Sequence, residues 1–159
     1  MRPGFPYDEP TDLEAIRALR PGSRMRSGAA WDEALYRDRI LLGLKTGEAL
    51  SLSADGKGEV AWRTRVGRGG IQGGVHWGTA REGDVLFVPI NDQADARDGK
   101  VYGDVPRPGL YALDARTGTL VWASPAPEAC GGREFGDPGI SAAITAIPGV
   151  VFAGHLDGT

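Results

Sequence analysis

The chain has 159 residues, a formal net charge of -3 and a pI near 5.4, with 41% hydrophobic residues. That is enough for one domain of ordinary size or a part of a larger one. Lys and Arg are scattered, so no basic stripe offers itself to nucleic acid. No apolar run approaches the roughly 20 residues of a membrane span. The start MRPGFPYDEP lacks the apolar stretch of a secretory signal, so a soluble chain without a visible export signal is expected. A single cysteine, Cys130, rules out an internal disulfide, and neither a haem-attachment motif nor a paired CxxC for zinc is present.

Residues 1–38 are the least regular stretch, with helix-forming residues in DLEAIRAL (12–19) and WDEALYRD (31–38). From Arg39 the texture changes, because the 25 glycines and 11 prolines of the chain punctuate short apolar runs. RILLGL, a Lys-Thr-Gly turn, EALSLSA and EVAWRTRV read as three strands joined by tight turns. The glycine-rich GGIQGGVHWG (69–78) follows, then the strand DVLFVPI, a long loop from 91 to 108, and the strands GLYALDA and TLVWAS about an RTG turn. ISAAITAI, GVVFAG and an LDG turn end the chain.

The strands recur as a unit. Trp62 and Trp122 close equivalent strands about 60 residues apart, and the turns at 43–47 and 154–158 are also equivalent, giving roughly 55 residues per unit, close to the size of propeller blades. In YALDARTGTLVW, Tyr111 and Leu113, then Leu120 and Trp122, alternate toward neighbouring sheets. Asp114 and Thr117 can close the hairpin by side-chain hydrogen bonds, with Gly118 supplying a positive φ. The expected fold is all-β: a partial β-propeller of two to three four-stranded blades over 39–159, truncated at its C-terminal end, after a short helical segment within 1–38.

YALDARTGTLVW resembles the repeat of proteins with pyrroloquinoline-quinone-like (PQQ-like) β-propellers. ILLGLKTGEALSLS, RVGRGGIQGGVHWG, VLFVPIND and ISAAITAIPGVVFAGHLDG, in that order, look similar to polyvinyl alcohol dehydrogenase-like quinoproteins from about Arg39 to Thr159. Such proteins usually close about eight blades into a ring, so the resemblance implies a fragment of a larger quinoprotein.

It also implies a site. A Lys or Arg in the turn between two inner strands points at the quinone in this family, and Lys45 falls on that position as an electrophilic helper. A glycine pair, one residue and then Asn-Trp approach the cofactor in related enzymes. Gly73-Gly74-Val75-His76-Trp77 falls on that motif, making Gly74, His76 and Trp77 candidates to contact pyrroloquinoline quinone. The catalytic base is unassigned, because neither Asp12 nor Asp32 lies in the acidic, aromatic motif of the family. Ca²⁺ ligands of the intact enzymes are expected outside this chain.

Elsewhere the plainer reading is preferred. The run 91–99 is read as a solvated insertion without calcium-loop spacing, and His155 as an exposed turn residue. Ser141 lacks the elbow of a nucleophilic serine.

By resemblance the intact protein is an alcohol dehydrogenase. It takes an alcohol to the carbonyl by hydride transfer to the quinone and passes electrons to a cytochrome c-type acceptor in the periplasm. The alternative is a non-catalytic propeller scaffold for protein–protein interaction, which would need the blade Trp and turn Gly residues but not Lys45 or the His76-Trp77 pair.

Overall fold

The computed structural model describes residues 34–36, 38–54, 57–93, 105–127 and 138–158. These form ten strands and, among the described residues, no helix: β1 (Ala34–Tyr36), β2 (Arg39–Gly43), β3 (Glu48–Ser53), β4 (Val60–Arg65), β5 (Ala80–Glu82), β6 (Val85–Ile90), β7 (Gly109–Asp114), β8 (Leu120–Pro125), β9 (Thr145–Ile147) and β10 (Val150–Phe152). Two antiparallel four-stranded sheets run in simple sequence order, β1-β2-β3-β4 and β5-β6-β7-β8, and β9-β10 begin a third. Each sheet is a meander, which is the blade of a propeller, so the all-β partial propeller holds.

The period-two pattern explains the stacking. On β6, Leu86, Val88 and Ile90 turn to one face and Phe87 to the other; on β7, Tyr111 and Leu113 oppose Leu110 and Ala112. The first set joins Leu41, Ala49, Trp62, Val66 and Val75 in a core between the first two sheets. The second packs with Ile140 and Ile144 toward the third sheet.

The repeat is equally visible in the registers. Trp62 lies opposite Ser51 and Trp122 opposite Ala112, and each sheet carries a register shift at the next step, Ser51/Leu52 and Ala112/Leu113. In the hairpin between β7 and β8, Asp114 accepts the backbone N–H of Arg116 and Thr117 at 2.8 and 2.9 Å, and Gly118 has φ 73°.

Three expectations change. Within WDEALYRD, Ala34–Tyr36 is a strand rather than part of a helix, paired with β2 through Ala34↔Leu41, Leu35↔Ile40 and Tyr36↔Arg39. The open edge of β2 offers backbone partners, and these outweigh weak helix propensity in so short a segment. The first sheet therefore reaches back to Ala34, ahead of the boundary expected at Arg39. Ala80–Glu82, left unassigned between the glycine-rich stretch and DVLFVPI, is the first strand of the second sheet, and of the run 140–147 only Thr145–Ile147 is a strand. DLEAIRAL, Asp12, Asp32 and Cys130 lie outside the described residues.

Candidate functional site

The turn between β2 and β3 puts Lys45 at its exposed tip. Gly47 N–H donates to the Leu44 carbonyl at 2.9 Å, and Leu44 N–H to Glu48 O at 2.8 Å, so the turn is closed by its own backbone. Residues 67–78 then wrap around it. Gly70 N–H reaches Lys45 O at 3.2 Å and Val75 N–H reaches Leu44 O at 3.1 Å. Gly74 sits at φ 69° with its α-carbon against the Lys45 carbonyl, where a Cβ would overlap backbone atoms. The glycines of GGIQGGVHWG thus press the loop flat on the turn that carries Lys45.

Asp92 locks this arrangement from below. Its carboxylate is 1% exposed and accepts four backbone N–H groups: Arg68 at 2.5 Å, Gly69 at 3.0 Å, Gly74 at 2.8 Å and Arg107 at 3.0 Å. Asn91, equally buried, donates from Nδ2 to Gln72 O at 2.7 Å. These residues overturn the reading of 91–99 as wholly solvated, because the start of that run is the fastener of the glycine loop; residues 94–99 lie outside the description. A buried carboxylate survives only when its oxygens are bonded, and this one has charge-assisted partners. A signal was present in the sequence: Asp at the end of a strand tolerates the left-handed backbone, here φ 36°.

The folded loop brings His76 to Lys45. Lys45 Nζ lies 2.7 Å from His76 Nε2 and donates to Ile71 O at 2.7 Å. The other imidazole nitrogen, Nδ1, is 3.0 Å from Ser141 Oγ, contributed by the segment leading to β9. Burial first, and then the Lys45 ammonium, hold His76 below its ordinary pKa; a hydrogen bond to the Gly73 backbone and the charge of Asp92 act in the opposite sense. The imidazole is therefore biased to its neutral form near pH 7. Trp77 is 53% exposed beside this group in the chain.

His155, expected to be exposed, is half-buried in a turn where Gly158 N–H donates to His155 O at 3.1 Å. That bond matches the Gly47–Leu44 bond of the first sheet, so His155 corresponds to Leu44 and not to Lys45. Among the described residues, no group of three or more His, Cys, Asp or Glu side chains is placed to hold a metal ion.

Known proteins share sequence and fold with the chain. No family model matches the chain. Over 77% of its length it is 41% identical, across 124 residues, to a polyvinylalcohol dehydrogenase of a Pseudomonas species. The chain is a relative of polyvinylalcohol dehydrogenase. A second such protein, from Sphingopyxis sp. (strain 113P3), is 31% identical over 125 residues, again 77% of the chain. The chain spans 18% of the length of either polyvinylalcohol dehydrogenase.

Among solved structures, BamB from Moraxella catarrhalis aligns with 79% of the chain and 34% of its own length at TM-score 0.53 and 17% identity, a likeness of fold alone. A europium-containing methanol dehydrogenase aligns with 62% of the chain and 16% of its own length at TM-score 0.45 and 17% identity.

Proposed function

We infer that this chain supplies the Lys45 side of a quinone site in an alcohol-oxidising dehydrogenase similar to polyvinylalcohol dehydrogenase. The observation that carries the reading is the fixed ammonium: Lys45 stands at an exposed turn tip, tethered to Ile71 O and His76 Nε2. It occurs in a segment that is 41% identical to such an enzyme.

The residues present fit one side of pyrroloquinoline quinone. An exposed cation suits a carbonyl or carboxylate oxygen, the half-exposed Trp77 offers a flat apolar face, and Gly74 keeps side-chain bulk away from the Lys45 turn. When bound, an ortho-quinone supplies the electron-accepting centre that amino-acid side chains lack. Lys45 would hold positive charge where negative charge grows on a ligand oxygen, without reorganising, because its ammonium is already bonded in place. His76 would act on the ammonium more than on a ligand, since both of its ring nitrogens face protein partners. Ca²⁺, a catalytic base, the alcohol-binding surface, a cytochrome c-type acceptor and a periplasmic setting belong to the same reading of the intact protein. Among the described residues no helix is long and apolar enough to cross a membrane.

The test is a titration of the chain with pyrroloquinoline quinone and Ca²⁺, followed by cofactor absorbance and Trp fluorescence, beside Lys45→Ala. Saturable binding weakened at least about tenfold, or ~1.4 kcal/mol, in the variant is the expected result. Binding that ignores the substitution sinks the assignment of Lys45. No binding by a folded chain sinks the quinone reading and favours the scaffold.

A further inference from the structure

Three separate parts of the fold meet at one imidazole. Lys45 comes from the β2–β3 turn of the first sheet, His76 from the loop ahead of β5, and Ser141 from the segment ahead of β9. An ammonium has three donors and no acceptor, so at 2.7 Å from Lys45 Nζ the Nε2 of His76 must present a lone pair. A neutral imidazole whose Nε2 is unprotonated carries its hydrogen on Nδ1, and Ser141 Oγ lies 3.0 Å from Nδ1, with the Gly73 backbone also bonded to the ring. We propose that Ser141 is a positioning residue that holds His76 in the Nδ1–H tautomer, so that Nε2 accepts from Lys45 and fixes the direction of its ammonium.

The segment around Ser141 is built to do this. Ile140 is fully buried and its N–H donates to Ile90 O at 3.3 Å; Gly139 O accepts Leu156 N–H at 2.8 Å; Ile144 is 2% exposed. Ser141 stands half-buried between these anchors, so its hydroxyl is delivered by fixed backbone. Which ring nitrogen of a histidine carries the proton is set by what the other nitrogen meets, and here both partners are protein groups. The charged groups acting on His76 are Lys45, which opposes its protonation, and Asp92, which favours it.

The same logic removes a rival role. A nucleophilic serine needs an imidazole lone pair facing its hydroxyl, whereas the Lys45 contact places the lone pair on the opposite nitrogen. Ser141 accepts from His76 and does not give it a proton.

The inference deepens the proposed quinone site, yet its test needs no quinone. Long-range ¹H–¹⁵N correlation of the imidazole nitrogens is recorded on the 159-residue chain near neutral pH, with His155→Gln to assign the two histidines. A pyrrole-type Nδ1 and a pyridine-type Nε2 on His76 are expected. Ser141→Ala should shift the population toward the Nε2–H form and Ser141→Thr, which keeps the hydroxyl, should restore it. Predominance of the Nε2–H or the doubly protonated ring in the unsubstituted chain overturns the proposal. So does an unchanged tautomer in a folded Ser141→Ala variant. If that variant does not fold, the tautomer of the unsubstituted chain and of Ser141→Thr still decides. Failure of quinone binding would count against the proposed function and leave this result standing.

Discussion

The carboxylate of Asp92 accepts the backbone N–H of Gly74 at 2.8 Å, tying the end of β6 to the loop that encloses Lys45. The bond is one of four backbone N–H groups gathered on a single buried side chain. The geometry of the candidate site therefore depends on a residue that acts through the backbone of the loop carrying His76.

Asp92→Asn should expose that dependence. An amide has one acceptor oxygen where the carboxylate has two, and its NH₂ would face backbone donors, leaving at least one buried N–H without a partner. The expected loss is about 2 kcal/mol, read as a fall in the urea midpoint at unchanged slope. The His76 imidazole signals should move in the same variant, because the loop that carries His76 is released. A variant as stable as the parent would show that these bonds are not what holds the loop.

Gly74 and Gly83 make a matched pair for backbone strain. Both have positive φ, 69° and 55°, but a Cβ at Gly74 would overlap the Lys45 carbonyl while one at Gly83 would meet nothing within 4 Å. Gly83→Ala should cost only the left-handed backbone term, about 1 kcal/mol. Gly74→Ala should cost clearly more and should disturb quinone binding if the proposed site is real. Equal denaturation midpoints for the two variants would contradict the close packing of loop and turn.

His76 should make stability fall on the acid side. Its folded pKa lies below the ordinary value near 6.5. Above that pH both folded and unfolded chains hold it neutral, and its contribution is fully present. As pH drops through about 6.5 the unfolded chain takes up the proton first, so stability declines until the folded value is passed and then levels. Lys45→Met keeps the aliphatic bulk but removes the ammonium charge that opposes protonation of His76. The His76 midpoint in an NMR titration should then rise toward its ordinary value, and the acid-side loss should shrink. An unmoved midpoint would mean that the Lys45–His76 contact is absent in solution.

Trp62 and Trp122 show where sequence repeat and packing part company. Their positions and shared register shift follow from the repeat, yet Trp62 is 9% exposed and donates to Ala115 O at 3.1 Å, while Trp122 is 38% exposed and leans on Phe87 at a ring distance of 5.9 Å. The difference is what each faces: Trp62 meets the β7–β8 turn of the next sheet, whereas the third sheet is described only through β9 and β10.

The strand periodicity, the repeated meander, the Asp114 hairpin and the Lys45 turn are legible in the sequence. Each of these rests on residues close together in the chain, where alternation and turn chemistry act locally. That Ala34–Tyr36 is a strand, that Asp92 is buried and that Ser141 reaches His76 emerge only on folding. Those outcomes depend on contacts between residues distant in sequence, and local periodicity does not specify which distant groups a folded loop will bring within hydrogen-bonding range.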